Sequence, residues 1–329
     1  MNPHAPQAIL ELAQNFMESR IFLSAAELDL FTVLAPAPLS AREIAGKIGA
    51  DVRALTTLLD ALAAIGLLIK QKDQYQCPSP LAALLSKHAH DSILAMVHHM
   101  AHVWQRWSGL TEVVKGHEVP ETFPVSPDAD ERRAFIGAMH AVAAPLATRI
   151  VAAVDPDLHR ALLDVGGASG TYTIAFLQAV PQMKATLFDL PAVIEMARRR
   201  LREAGFLDRV TLIPGDFYRD AFPPGHDLAF VSAIIHQNSP EQNLDLYRKV
   251  FQSLVQGGRI IIRDHLMESD RTRPKDGAIF AVNMLVATAG GGTYTFEEVQ
   301  AGLALAGFVR IRLLQRGEHM EGLVEAFKP

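Results

Sequence analysis

Four short stretches in the second half of the chain carry residue types that could do chemistry at one shared place. The first is Leu162-Leu163-Asp164-Val165-Gly166-Gly167-Ala168-Ser169-Gly170, an apolar run that enters a glycine-rich turn. Gly166, Gly167 and Gly170 let such a turn tighten and let backbone approach a ligand closely, and Asp164 stands near the end of the run. The second is Asp189, 19 residues after Gly170, where a carboxylate can accept hydrogen bonds from both hydroxyls of a ribose. The third is Gly215-Asp216-Phe217, an acid beside an aromatic ring. That pair suits an adenine, whose exocyclic amine can donate to Asp216 while its ring packs on Phe217. Any one of these aspartates could equally cap a helix or hold a turn. Three at successive strand ends point to a common site.

The fourth stretch runs Ser232-Ala233-Ile234-Ile235-His236-Gln237-Asn238-Ser239. An unperturbed imidazole titrates at about 6.5, so a histidine here can take a proton from a hydroxyl near neutral pH. A capping or core role for His236 fits its position equally well.

These residues need a parallel sheet to bring them together. From about residue 158, apolar runs of strand length (ALLDVG, ATLFDL, VTLIPGD, DLAFVSAII, GGRIIIRDH) alternate with helical segments (TYTIAFLQAV, AVIEMARRRLREAG, EQNLDLYRKVFQSL). Such alternation predicts an α/β fold, a doubly wound parallel sheet covered on both faces. The tail adds the helix TFEEVQAGLALAG and the strands FVRIRLLQ and GLVEAFK, expected as an antiparallel edge.

The first hundred residues read differently. Residues 9–34 space their apolar side chains helically. Ser40 with Glu43 forms a capping-box pattern before AREIAGKIG, and Asp51 can cap VRALTTLLDALAAIG. LLIKQKDQYQCPS then reads as two short strands. Helix, turn, helix and hairpin is the winged-helix order. Its second helix offers only Arg53 to nucleic acid, where readers of DNA carry several basic residues, so DNA binding is not expected. The apolar helices before it suggest docking to a second copy of the chain. Domain limits are therefore expected at 1–100, 101–150 and 151–329. In the helical stretch 84–150 His98 and His102 share metal-ligand spacing, but no nearby acid or cysteine completes a shell, so no metal is expected.

Composition narrows the function classes. Net charge is −5 and apolar residues make up 49%, which argues for large cores and against a broad nucleic-acid face. Cys77 is the single cysteine, so no intramolecular disulfide can form. The first 30 residues lack the basic start and apolar centre of a signal peptide, and no uncharged apolar stretch has membrane-span length, so a cytoplasmic protein is expected.

Taken in order, these motifs resemble the two-domain small-molecule S-adenosylmethionine-dependent O-methyltransferases, which include plant caffeic acid and flavonoid enzymes and bacterial natural-product relatives. The resemblance covers nearly the whole chain: the winged-helix dimerisation region, residues 164–170, FDLP at 188–191, GDF at 215–217, His236 and GGTYTFEEV with the following LALAGF. It implies a class I methyltransferase sheet and a homodimer whose N-terminal helices complete the partner's pocket. By the same resemblance the glycine turn holds the amino-acid part of S-adenosylmethionine, Asp189 binds ribose with Leu190 beside it, and Asp216 and Phe217 hold the adenine. Ser232 takes the place of an adenine-side lysine of plant members. Phe135 and Met139 flank the methyl-transfer centre, Trp107 and Met284 line the acceptor pocket, and His236 is the general base.

Two departures stand out. Plant members follow the histidine with Asp-Trp, where this chain has Gln237-Asn238, and they orient it with a Glu where this chain has Thr293. Asp264 could supply the carboxylate from the next strand. The missing Glu leaves open a family member that binds S-adenosylmethionine but decarboxylates, hydroxylates or cyclises instead of methylating. A nicotinamide oxidoreductase shares the glycine turn and the ribose acid, but it leaves the GDF acid unexplained and no Tyr-x-x-x-Lys pair is present. A non-catalytic regulator built on the winged helix is the third alternative. The acceptor itself is not legible; with aromatics at 7%, a pocket walled largely by aliphatic side chains and Met is expected.

Overall fold

The computed structural model describes residues 5–90, 92–117 and 129–329, excluding the side chains of 129–135, 138, 141 and 142. The chain forms two compact units, one of residues 1–105 with 133–138 and one of 106–132 with 139–329.

The first unit is helical. The apolar run at its start is divided into α1 (Pro6–Gln14), α2 (Phe16–Glu27) and α3 (Leu30–Leu34), broken at Asn15 and again at Asp29, which adopts φ 55°. After β1 (Leu39–Ser40), α4 (Ala41–Ile48) starts on a true capping box: the Glu43 amide donates to Ser40 Oγ and the Ser40 amide to Glu43 Oε2 at 2.7 Å. Gly49 ends it in the left-handed conformation. Asp51 caps α5 (Val52–Ala64) by accepting from the Ala54 amide at 2.8 Å. The hairpin of β2 (Ile69–Gln71) and β3 (Gln74–Gln76) follows, with β1 antiparallel to β3. Helices α6 (Ser79–Leu85) and α7 (Leu94–Trp107) close the unit, whose core includes Leu30, Phe31, Ile44, Leu59 and Leu62. Lys70 of the hairpin is tied to Asp60 at 2.6 Å, so its charge is neutralised locally. Trp104 packs at 5.9 Å from the Phe16 ring.

The second unit holds the sheet. Its helices α8 (Leu110–Val114) and α9 (Ala129–Val154, shared with the first unit at 133–138) precede β4 (Ala161–Val165) and α10 (Thr171–Ala179). Then come β5 (Lys184–Asp189), α11 (Pro191–Glu203), β6 (Val210–Pro214), β7 (His226–Ser232), α12 (Pro240–Ser253) and β8 (Leu254–Asp264). The chain finishes with β9 (Leu266–Met267), α13 (Lys275–Ala287), β10 (Tyr294–Thr295), α14 (Phe296–Leu305), β11 (Val309–Gln315) and β12 (Gly322–Phe327).

The seven-stranded order is β11-β12-β8-β7-β4-β5-β6. The five strands from β8 to β6 are parallel, and β12 and β11 form the antiparallel edge. The central strands β4, β7 and β8 are buried on both faces, which is why they read as nearly unbroken apolar runs. Leu163, Val165, Ala229, Val231, Ile260 and Ile262 face one core, while Leu162, Leu228, Phe230 and Ile261 face the other beneath α9 and α10. Parallel strands put all their C-terminal ends on one edge. The residues that follow β4, β5, β6, β7 and β8 therefore share it, where open α/β sheets bind ligands.

Candidate active site

The glycine turn is built for backbone exposure. Gly166 and Gly170 have φ of 64° and 79°, values that glycine adopts without penalty. A Cβ on Gly166 would lie 2.6 Å from Ile234 Cδ1, and one on Gly167 would lie 2.6 Å from Leu187 Cγ. The turn thus presents bare backbone toward the edge and hands over to the N-terminus of α10 at Thr171. Asp164 lies beneath it, 2% exposed, with the Thr173 hydroxyl donating to it. Burial pushes its carboxyl up to about 7, despite the help of Thr173. It braces the strand–turn–helix junction from below.

Asp189 ends the neighbouring strand and reaches back to the turn. Its Oδ2 accepts from the Ala168 amide at 2.8 Å and its Oδ1 from the Leu190 amide at 2.7 Å. Enclosure by protein pushes this carboxyl up to about 6, against the pull of the two amides. One edge of the residue stays open, and the remaining lone pairs can accept from a diol. The next strand end brings Asp216 and Phe217. The Tyr218 amide donates to Asp216 Oδ1 at 2.9 Å, so this acid does serve a turn, and its other oxygen is 3.7 Å from Arg219. Lys249 fastens the turn by donating to the carbonyls of Phe217 and Tyr218 at 2.8 and 3.0 Å. The Phe217 and Tyr218 rings lie 4.6 Å apart, a small aromatic wall.

His236 sits in a short 3-10 turn just beyond β7, 5% exposed. Its Nδ1 lies 2.9 and 3.0 Å from the two oxygens of Asp264, which is 1% exposed at the end of β8. The carboxylate can only accept, so Nδ1 carries the proton and Nε2 is left with the lone pair. Burial opposes the charge on Asp264, yet the His236 imidazole and the His265 amide hold its carboxyl below the usual range. The edge of the Phe280 ring meets His236 at 4.9 Å.

The turn that carries His236 is gripped on all sides. The Gly292 amide donates to the His236 carbonyl at 2.8 Å. Asn238 accepts from Tyr218 Oη at 2.7 Å and donates to Asn243, which in turn donates to the Ile235 carbonyl at 2.9 Å. Tyr294 Oη donates to the Asn238 carbonyl. Asn238, one of the departures in sequence, is thus the hub that fixes the turn. Thr293 is buried and takes no part in holding the imidazole; Asp264 does that.

Ser232, half-buried at the end of β7, accepts from Arg263 Nη1 at 3.1 Å. Trp107 Nε1 donates to Asn283 Oδ1 at 2.9 Å, beside the fully buried Met284 on α13. Met139 is half-buried on α9, and the Phe135 side chain lies outside the described residues. The sequence did not single out His140, next to Met139. Arg200 donates to its Nε2 at 2.6 Å, so its Nδ1 donates to Thr171 Oγ1 at 2.9 Å, linking α9 to the start of α10 beside a cavity of about 330 Å³. Burial and the Arg200 charge push this imidazole down to about 4. Asn283 and Phe280 were missed because α13 is apolar on most sides and shows no helical period. His98 and His102 lie on α7, and among the described residues no group of three or more His, Cys, Asp or Glu could hold a metal. No helix among the described residues is long and apolar enough to cross a membrane.

Comparison with known proteins agrees with this geometry. Residues 103–309 match the O-methyltransferase domain and residues 10–87 the O-methyltransferase dimerisation domain. The chain is 31% identical over 323 residues to the tetracenomycin polyketide synthesis 8-O-methyl transferase TcmO of Streptomyces glaucescens, covering 95% of each protein. It is 30% identical to the 3-hydroxy-5-methyl-1-naphthoate 3-O-methyltransferase of Streptomyces sahachiroi, covering 94% of this chain and 91% of that one. Among solved structures, PigF with SAH superposes with a TM-score of 0.89 at 25% identity, covering 98% of this chain and 100% of that one. These matches overturn the nicotinamide and DNA-regulator alternatives. The chain belongs to the two-domain O-methyltransferase family: it is an S-adenosylmethionine-dependent methyltransferase with an N-terminal dimerisation domain.

Proposed function

We propose that this enzyme methylates a hydroxyl of a small aromatic or polyketide-like acceptor, with His236 as general base. The observation that carries this is the His236–Asp264 pair, which leaves a basic Nε2 at the edge where the glycine turn and Asp189 also lie. The relatives named for a polyketide 8-hydroxyl and a naphthoate 3-hydroxyl support the acceptor class.

The bare turn and the open carboxylates of Asp189 and Asp216 fit the cofactor. Gly166, Gly167 and Gly170 give its amino-acid part access to backbone, Asp189 with Leu190 takes the ribose, and Asp216 with Phe217 takes the adenine. Asp164 positions the turn from beneath. Met139 borders the cofactor, Ser232 at the end of β7 borders its amino-acid side rather than its adenine, and Trp107 walls the acceptor, with Met284 buried beside the Asn283 that holds Trp107. When bound, S-adenosylmethionine supplies an electrophilic methyl carbon, so the chain's task is alignment and proton removal. His236 Nε2 takes the hydroxyl proton, and Asp264 stabilises the resulting imidazolium while holding the ring's tautomer. The missing Glu at Thr293 is therefore no ground for a non-methylating activity.

The second part of the proposal is a homodimer. Ile9, Leu10, Leu12, Phe16 and Met17 of α1 and α2 are exposed by 49–71%, an apolar stripe on the dimerisation domain. The acceptor assignment is tested by incubating the enzyme with S-adenosylmethionine and a panel of naphthols, hydroxynaphthoates and hydroxylated polyketide aromatics, with products read by mass spectrometry. Gain of one methyl on oxygen supports it. Methylation confined to carbon or nitrogen acceptors would overturn it.

A further inference from the structure

Arg263 is a buried cation with no counter-ion among the described residues. It lies near the C-terminal end of β8, 3% exposed. Its Nη1 donates to Ser232 Oγ at 3.1 Å, and its guanidinium lies 5.2 Å from the centre of the Tyr172 ring. Its Nε and Nη2 have no partner among the described residues, and neither has Tyr172 Oη. No described carboxylate lies within 4.0 Å of the guanidinium. The acids nearby are engaged elsewhere: Asp164 with Thr173, Asp264 with His236 and the His265 amide, and Glu321 with Arg149. Burying a charge in this way costs several kcal/mol per ion unless it is paired. Three unsatisfied buried donors on two neighbouring side chains are the complement of an anion.

The place itself selects the anion. In the sheet, β4 lies between β5 and β6 on one side and β7 and β8 on the other. Asp189 and Asp216 follow β5 and β6, the end proposed for the nucleoside. A ligand extended from there across the glycine turn brings its other end to β7 and β8. Three strand spacings of about 4.8 Å separate β5 from β8. Tyr172 stands two residues after Gly170, and Ser232 is half-buried, so the cluster opens on the same edge. The cofactor's amino-acid end carries its only carboxylate.

We propose that Arg263, with Tyr172 Oη, binds the carboxylate of S-adenosylmethionine and of its product. This rests on the placement of the nucleoside proposed above. The test is calorimetric titration with S-adenosylhomocysteine and with its decarboxylated analogue, which keeps the adenosine, sulfur and amine. Wild type prefers S-adenosylhomocysteine. Arg263→Met weakens it by about 30-fold or more and leaves the analogue unchanged, since removing one partner of a buried charge pair costs that much. Tyr172→Phe shifts the same ratio several-fold. Without ligand, Arg263→Met melts no lower than wild type, because it removes an unpaired buried charge, but it loses much of the melting shift that S-adenosylhomocysteine gives. Equal affinity of the two ligands for wild type, or equal loss of both in Arg263→Met, would overturn the proposal. Should Arg263→Met not fold, the ligand ratio in Tyr172→Phe and Arg263→Lys decides it. Failure of wild type to bind either ligand would instead reject the nucleoside placement.

Discussion

His236 and Asp264 meet across adjacent parallel strands, with Nδ1 2.9 Å from one carboxylate oxygen and 3.0 Å from the other, both residues almost fully buried. Asp264→Asn replaces an acceptor with an amide that can also donate to Nδ1, which moves the proton to Nε2 and removes the base. We expect kcat to fall by roughly 10²–10⁴ while S-adenosylhomocysteine affinity stays within about twofold. Steady-state kinetics together with titration checks this. A variant with near-normal kcat would show that the carboxylate is not needed to hold the tautomer.

The loop that supports the His236 turn leaves no room for a side chain at one position. A Cβ on Gly291 would stand 2.5 Å from the His236 carbonyl and 2.9 Å from that of Gln237, both backbone atoms that cannot swing away. At Gly292 nothing lies within 4 Å. Gly291→Ala should cost about 1–3 kcal/mol in stability and lower kcat at least tenfold, whereas Gly292→Ala should leave the melting temperature nearly unchanged. Equal behaviour of the two variants would contradict the close approach.

Asp164 makes stability depend on pH. Its folded value of about 7 lies above the unfolded value of 3.8, so the folded state holds the proton more tightly. Stability from this group is full below about 4, falls as pH rises toward 7 and is flat beyond. The total is on the order of a few kcal/mol. Thermal melts at pH 5 and pH 8 should therefore differ more in wild type than in Asp164→Asn, with other groups cancelling in the comparison. Identical pH dependence of the two proteins would place the Asp164 titration elsewhere.

The apolar stripe on α1 and α2 should be covered in solution. Leu12 is 71% exposed and Phe16 49% within one chain. Light scattering at micromolar concentration should give twice the chain mass. Leu12→Asp with Met17→Asp should shift it toward the single-chain mass. A wild-type monomer would count against the dimer.

Much of the second unit was legible because parallel strands buried on both faces read as apolar runs, and each run carried an Asp, Gly or His at or just beyond its end, on the functional edge. The antiparallel edge and the winged-helix order followed from the same periodicity. The Asp264 partnership was visible only as a guess, since it depends on Ser232 standing opposite Arg263, a cross-strand register that spacing along the chain does not set. Helix α13 carries Phe280, Asn283 and Met284, yet its AIFAVNMLVA run has no polar stripe to mark a helical period. The breaks at Asn15 and Asp29 were hidden because helical spacing of the apolar side chains continues across them. Asn238 read as a departure from the plant pattern, and its role appears only once Tyr218, Asn243 and Tyr294 are brought around it by the fold.

The central claim is that His236 removes the acceptor proton during methyl transfer, and single-turnover transfer from labelled S-adenosylmethionine by wild type and His236→Ala tests it most directly. Both proteins should bind S-adenosylhomocysteine alike, and the variant should transfer roughly 10²–10⁴ times more slowly, with part of the loss restored on an acceptor whose hydroxyl is already ionised. Transfer by His236→Ala at the wild-type rate on a neutral hydroxyl would contradict the account.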